Sequence, residues 1–155
     1  MVPHPTQILV WPDLEVGTEA PTVSHELGRT DLVQYAGASG DFNPIHYRDD
    51  VAQSVGLPGV LAHGMLTMGV AASPVSEWIG AAGFVRDYQV RFTRPVPVDP
   101  TNGAVLSIIA KVGAINAEAE TVRFDLVASF NNTTVLGKAQ LVAAVRVTPA
   151  EDSSE

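Results

Sequence analysis

The chain has 155 residues, 46% of them hydrophobic, which predicts one domain over residues 1–148 and a disordered acidic tail over residues 149–155. Its net charge of −8 argues against a nucleic-acid partner, because binding phosphates needs clustered Lys and Arg. Cysteine is absent, which excludes disulfides and thiol chemistry. With neither a secretory signal nor a long apolar run, we expect a cytoplasmic protein without membrane contact.

Short secondary-structure elements are predicted in the first part of the chain, before a loop that follows Gly40. The start is rich in proline and acidic residues, and Trp11 and Leu14 are expected to anchor it on the core. A strand is predicted over residues 22–27. A helix capped by Thr30 is expected to follow and to end at Gly40.

Two further helices are predicted after this loop. Asp49 and Asp50 are interpreted as caps of a two-turn helix that stops at Gly56. Residues 63–80 carry apolar side chains on most sides, which indicates a long buried helix. Pro74 lies inside this helix and predicts a kink or a break, since proline cannot donate a backbone hydrogen bond.

The second half of the chain changes to a hydrophobic period of two. This period predicts long antiparallel strands, with Asn131 and Asn132 as a hairpin turn between the last two. The predicted strands cover residues 87–93, 104–112, 122–130 and 135–147. Together with the buried helix they predict an α+β fold, in which a curved antiparallel sheet wraps around a long central helix.

One loop carries the pattern D-x-N-P-x-H, from Asp41 to His46. A carboxylate and an imidazole on a short loop can supply the base and the acid that proton transfer at an acyl thioester requires. Pro44 restricts its own backbone and pushes Asn43 towards an extended conformation, so the loop can hold both groups in a fixed relation. Asn43 is also expected to hydrogen-bond the local backbone. Asp41 and His46 are therefore the candidate catalytic pair.

A second cluster begins the long helix. Gly64 follows His63 at its N-terminus, where free backbone N–H groups can stabilise an oxyanion. Gly64 is the expected oxyanion donor. For His63, capping or packing at the start of the helix is preferred over a direct part in the reaction. Ser39 and Asn43 complete the candidate substrate-binding set, although Ser39 lacks the G-x-S-x-G pattern of a serine hydrolase.

Basic residues are concentrated in the second half of the chain. Residues 1–80 contain nine acids and two arginines, whereas the remainder contains eight acids and seven basic residues. An anionic ligand tail should therefore dock on the second half. Arg91 and Arg94 are the candidates for binding the tail of a thioester.

Residues 35–46 resemble the signature of the MaoC-like, or R-specific enoyl-CoA hydratase 2, family. The resemblance extends through residues 62–69 and 90–98 and covers roughly residues 11–148. It implies a hot-dog fold, a dimer that joins two sheets side by side, and reversible syn hydration of trans-2-enoyl thioesters to (R)-3-hydroxyacyl thioesters. By this likeness Asp41 and His46 hold a water molecule between them, and the Gly64 amide receives the thioester oxygen.

The resemblance also bears on partners. The expected substrate is carried by CoA or by acyl carrier protein, and the default assembly is a homodimer, with a heterodimer containing a non-catalytic hot-dog paralogue as the alternative. Two other functions stay open on the same fold, an acyl-CoA thioesterase and a subunit that only binds acyl thioesters. We expect no cofactor and no metal, because Asp41, His46 and His63 lack the helical i, i+4 spacing of metal-binding histidines.

Overall fold

The computed structural model describes residues 14–145, which form one five-stranded antiparallel sheet, three α-helices and two short 3-10 turns. The sheet order is β1-β3-β4-β5-β2. The strands are β1 (Val23–Leu27), β2 (Gly83–Phe92), β3 (Ala104–Asn116), β4 (Thr121–Phe130) and β5 (Thr133–Val145). The helices are α1 (Arg29–Ser39), α2 (Asp49–Ser54) and α3 (Gly64–Ile79), and the 3-10 turns cover Pro44–His46 and Gly80–Ala82. The predicted anchor Trp11 and the predicted tail over residues 149–155 lie outside the described residues.

Helix α3 lies against strands β2 to β5 and supplies much of the core. Val75 is fully buried, and the Trp78 ring lies 5.7 Å from the ring of Phe124, which is fully buried in β4. Leu14 also belongs to this core, as predicted. The sheet therefore wraps around one apolar helix, and the predicted α+β hot-dog fold is confirmed. No helix between residues 14 and 145 is long and apolar enough to cross a lipid bilayer.

Helix α3 continues through Pro74, so the predicted break is wrong, whereas the alternative of a kink stays a prediction. The proline lacks the N–H that would have bonded the Val70 carbonyl, four residues earlier. The Ser73 hydroxyl donates to that carbonyl at 2.8 Å instead. A neighbouring side chain thus satisfies the acceptor that the proline leaves without its backbone donor.

The predicted helix caps are wrong in two places. Helix α1 begins after Gly28, whose N–H donates to the Asp31 carboxylate at 2.7 Å, and Thr30 lies inside its first turn. Helix α2 begins without a side-chain cap, because the carboxylates of Asp49 and Asp50 form ion pairs with arginines. The Asn-Asn hairpin turn is confirmed, since both residues have the positive φ, 49° and 59°, that such a tight turn requires.

An ion pair joins the two short helices. The Arg29 guanidinium binds both Asp49 oxygens, at 3.0 and 3.1 Å, and its Nε donates to the Val98 carbonyl. The Asp49 carboxylate also accepts the Val60 N–H at 2.9 Å. Hydrogen bonds from Arg29 and then from the Val60 amide lower the pKa of Asp49. This network joins α1, α2 and the segment at Val60, so the helices that precede and follow the loop between Gly40 and Tyr47 are held to each other.

Replacing Arg29 with leucine is expected to lower the melting temperature at pH 7 by roughly 3–6 °C, because hydrogen bonds across three segments are lost. The lowered pKa of Asp49 gives the sign of the pH dependence. The ion pair stabilises the fold above the unfolded-state pKa of about 3.9 and stops doing so as the pH falls through the folded-state value. Thermal unfolding followed by circular dichroism between pH 7 and pH 3 measures both effects.

Arg48→Leu is the matched control for this experiment. Arg48 pairs with Asp50, but the two side chains are 57% and 67% exposed, so this pair adds little to stability. Equal melting temperatures for the two variants would contradict the structural role of Arg29.

Candidate active site

The loop that carries D-x-N-P-x-H begins at the end of helix α1. Gly40 has φ of 78°, a left-handed conformation that favours glycine, and its N–H donates to the Ala36 carbonyl at 2.9 Å. The Ser39 hydroxyl donates to the Tyr35 carbonyl at 2.7 Å and accepts the Asp41 N–H at 3.2 Å. Ser39 thus ties Asp41 to the end of the helix.

Side-chain hydrogen bonds within the loop fix its next turn. The Asp41 carboxylate accepts the Asn43 N–H at 3.2 Å, and the Asn43 side chain accepts the Ile45 N–H at 3.3 Å, at the start of the 3-10 turn Pro44–His46. Asn43 has the extended backbone that a following proline requires. The predicted bond between Asn43 and the local backbone is confirmed.

A main-chain carbonyl sets the tautomer of His46. The His46 Nδ1 lies 2.8 Å from the Leu61 oxygen, and a carbonyl can only accept, so Nδ1 carries a proton. In the neutral ring this leaves Nε2 as the acceptor. The Ile45 carbonyl in turn accepts the Leu61 N–H at 3.1 Å, which holds the loop and the Leu61 segment together.

Asp41 and His46 lie close enough to share one water molecule. A carboxylate oxygen of Asp41 and a ring nitrogen of His46 lie within 4.8 Å of each other. Two hydrogen bonds of about 2.8 Å to a common water span about that distance. The Asp41 side chain is exposed and His46 is partly buried, so solvent can reach the pair.

His63 lies behind this pair. Its side chain is 1% exposed, its ring stacks on His46 with centroids 3.8 Å apart, and its Nε2 lies 3.1 Å from the Asp41 main-chain oxygen. Burial lowers the pKa of His63, which favours the neutral ring. The structure therefore places His63 beneath the D-x-N-P-x-H loop, whereas the sequence had also grouped it with residues expected to contact substrate.

A cavity of about 340 Å³ opens beside His46. Gly64 and Thr67 from helix α3 line it on one side, and Phe92 and Arg94 line it on another. The Gly64 N–H is at the first position of α3, where backbone donors have no acceptor within the helix. A Cβ at this position would lie 3.2 Å from the Phe92 ring, so glycine keeps the approach to the helix N-terminus open.

Three residues of this site could be considered as metal ligands. Asp41, His46 and His63 each offer one ligand atom within 4.8 Å of the others. However, the two imidazoles stack face to face, so their in-plane lone pairs do not converge on a point about 2.1 Å from both nitrogens. This geometry disfavours a tetrahedral site, and the absence of a metal stays a prediction.

The two candidate arginines occupy different surroundings. Arg94 lines the cavity beside His46 and also a second groove of about 270 Å³, whereas Arg91 lines neither. Pro95, Pro97 and Phe130 give the second groove its apolar walls. A ligand that extends from one cavity to the other would pass Arg94.

Sequence reasoning does not identify several groups of this site. The Leu61 carbonyl is a backbone acceptor, which no side-chain pattern reveals, and Phe92 alternates like an ordinary strand residue. Thr67 lies three residues after Gly64, on the turn of α3 that faces the cavity, and this spacing could have pointed to it.

Comparisons with known proteins agree with this geometry. The chain is 28% identical over 138 residues to a 3-hydroxybutyryl-CoA dehydratase of Methylorubrum extorquens, and the match covers 88% of this chain and 84% of the relative. It is 40% identical over 70 residues to 3-hydroxyacyl-thioester dehydratase X of Mycobacterium tuberculosis, which covers 45% of this chain and 24% of that relative.

A solved structure of a MaoC-like dehydratase superposes with a TM-score of 0.80 at 35% identity. The superposition covers 91% of this chain and 43% of that one, so the chain spans less than half the length of this relative and about a quarter of the M. tuberculosis one. The MaoC like domain family matches residues 12–124, more than half of the chain. As the resemblance of residues 35–46 predicted, the chain belongs to the MaoC-like domain family.

Proposed function

We propose that this protein catalyses the reversible hydration of trans-2-enoyl thioesters to (R)-3-hydroxyacyl thioesters. The observation that carries this proposal is the arrangement of His46, which lines a cavity together with Gly64 at the N-terminus of α3, and the exposed Asp41 carboxylate, which lies outside that lining but within 4.8 Å of a His46 ring nitrogen. Acid/base chemistry next to an oxyanion donor is what addition of water to an enoyl thioester requires.

In the hydration direction, the proposed water lies between Asp41 and His46. One of the two groups removes a proton from this water as its oxygen bonds C3 of the enoyl thioester. The electron pair of the double bond moves towards the thioester carbonyl, whose oxygen accepts the Gly64 N–H. The pair then delivers this same proton to C2, on the same face because both groups belong to one loop, so that H and OH of one water molecule are added and both groups regain their starting protonation. Dehydration follows the reverse path.

Ser39 and Asn43 contribute to this chemistry through the loop. Their side chains are engaged by the backbone between Tyr35 and Ile45, so we assign them the role of fixing Asp41 and His46. Pre-fixed groups need no rearrangement when charge develops in the transition state, which is where such positioning lowers the barrier.

Asp41→Asn and His46→Gln are each expected to lower kcat for crotonyl-CoA hydration by about 10²- to 10⁴-fold, because each removes one proton-transfer group. The loss of the enoyl absorbance measures the rate, and circular dichroism checks that both variants fold. Asp50→Asn is the matched control, since Asp50 is exposed like Asp41 but pairs with Arg48 and is not grouped with His46.

Turnover close to that of the unsubstituted protein in either catalytic variant would refute the assignment. Thiol release from a saturated acyl-CoA, without hydration of the enoyl substrate, would instead support a thioesterase. Acyl-CoA binding without either reaction would support a binding subunit.

Arg94 is proposed to bind the anionic tail that CoA and acyl carrier protein share, the phosphate of the phosphopantetheine arm. Its position at the border of both cavities supports this role, because a bound arm would run from the reacting thioester past this guanidinium. Arg91 was grouped with it by sequence but lines neither cavity.

Arg94→Ala is expected to raise KM for crotonyl-CoA by about tenfold, the effect of losing one charged hydrogen bond, and to change kcat little. Arg91→Ala is the matched control and should leave KM nearly unchanged. The N-acetylcysteamine thioester of crotonate has no phosphate. The Arg94 variant and the unsubstituted protein should therefore have similar kcat and KM for this substrate. An equal loss on both substrates would argue against a phosphate contact.

We propose that the protein assembles as a homodimer through strand β2. This ten-residue strand is an edge of the sheet, bonded only to β5, and most of its side chains are exposed. Phe84 is 64% exposed and Phe92 is 51% exposed. Large exposed apolar side chains on an edge strand favour association with another chain. Pairing with β2 of a second copy would cover both the edge and these rings.

Light scattering of the purified protein should give twice the mass of one chain. Phe84→Asp is expected to shift it to the monomer, because a carboxylate would be buried against the partner. Val105→Asp is the matched control, since Val105 is 49% exposed on β3, which is not an edge of the sheet. A monomeric original protein would contradict the homodimer, and recovery of activity only with a second, different hot-dog chain would favour the heterodimer.

A further inference from the structure

We infer that His63 is a positioning residue. Its buried ring holds Asp41 and His46 in a fixed position relative to each other. This inference rests on the proposed function of that pair. It concerns the ring itself, which neither lines the cavity nor touches solvent. The proposal is that His63 acts through the other two residues and has no contact with substrate.

The first link runs from His63 to Asp41. The Asp41 main-chain oxygen lies 3.1 Å from the His63 Nε2, and because a carbonyl cannot donate, Nε2 must carry the proton. This bond reaches across 22 residues, from the start of α3 to the loop after α1. It fixes the backbone from which the Asp41 carboxylate extends.

The second link runs from His63 to His46. The two rings are stacked at 3.8 Å with planes 26° apart, while the Leu61 carbonyl holds the His46 ring at its edge. Contact on the face and a hydrogen bond at the edge together leave the His46 ring little freedom to rotate. Its Nε2 is thereby aimed in one direction.

The protonation state of His63 suits this role. With Nε2 protonated in a neutral ring, Nδ1 is an acceptor, and it is buried with no hydrogen-bond partner among residues 14–145. Leaving an acceptor unpaired in the interior is unfavourable, and a phenylalanine ring would fill the same space without that cost. Packing alone therefore does not explain a histidine here, whereas the need for an N–H donor to Asp41 does.

The surroundings keep the ring in place and neutral. The Tyr35 ring of α1 packs on it at 4.8 Å, and the His63 carbonyl accepts both the N–H and the hydroxyl of Thr67. The titratable groups that face His63 are Tyr35, His46 and Asp41. A neutral His63 can stay stacked on His46 when the latter gains a proton in the reaction, since two stacked cations would repel each other.

Two substitutions separate the two links. His63→Phe keeps a ring against His46 but loses the donor to Asp41, and His63→Gln keeps a donor near the Nε2 position but loses the ring. Each is expected to lower kcat for crotonyl-CoA hydration by about 10- to 100-fold, with KM changed less than about twofold, because misplaced groups slow the reaction and leave binding intact. Circular dichroism and thermal unfolding identify any variant that fails to fold.

A double-mutant cycle tests whether His63 acts through Asp41. In the Asp41→Asn background, His63→Phe should lower kcat by less than about twofold, because the group that it positions is already lost. If His63→Phe has the same effect in both backgrounds, or if it raises KM in place of lowering kcat, the positioning role is overturned.

A second readout does not depend on turnover. Nitrogen-15 NMR of the full chain should show His46 protonated at Nδ1, and His63→Phe and His63→Gln should both alter the His46 ring signals. Unchanged His46 signals in both variants would overturn the inference even if the protein hydrates crotonyl-CoA. Altered signals in a protein without hydratase turnover would support the positioning role while the proposed function failed.

Discussion

The hydrogen bond between His46 Nδ1 and the Leu61 carbonyl determines what the site can do. It selects the tautomer in which Nε2 is the acceptor, so that the atom free to take a proton is set by the backbone. The carbonyl can do this only if its own segment is rigid. Hydrogen bonds from Ala62 to Val96 and from Val98 to Val60, both at 2.9 Å, pair this segment with the chain that follows β2. The chemistry of one side chain thus depends on a short ladder of main-chain bonds far from it in sequence.

The cavity joins the two halves of the chain, which differ in charge. His46 and Gly64 of the lining come from the acidic first half, and Arg94 comes from the second half, where the basic residues are concentrated. A thioester with an anionic tail has a reactive end that needs acid/base groups and a distant end that needs a cation. The His46 imidazole and the Arg94 guanidinium line the same cavity, and Arg94 also lines the second groove, an arrangement that suits the proposed substrate.

Much of the fold and the proximity of Asp41 and His46 could be predicted from sequence because their signals are local. The alternation of β4, the Asn-Asn turn and the D-x-N-P-x-H loop each lie within a dozen residues. One error involves a partner that is distant in sequence: Asp49 resembles a helix cap, but it pairs with Arg29, 20 residues away. His63 illustrates the same limit, since its burial beneath His46 depends on how α3 meets the loop. The continuity of α3 at Pro74 depended on a hydroxyl at Ser73 whose rotamer the sequence does not specify.

The location of the site follows from which helix can present its N-terminus to an anion. Helix α1 has Asp31 in its first turn, bonded to the N–H of Gly28, and α2 begins with two aspartates, so both starts already carry negative charge. Helix α3 has no acidic residue in its first turn, and Gly64 there is exposed. Further along, α3 is enclosed by the sheet, with Val75 and Ile79 buried. Among the three helices of residues 14–145, only α3 therefore has an accessible start that is free of acidic side chains, and the Asp41–His46 loop lies beside that end.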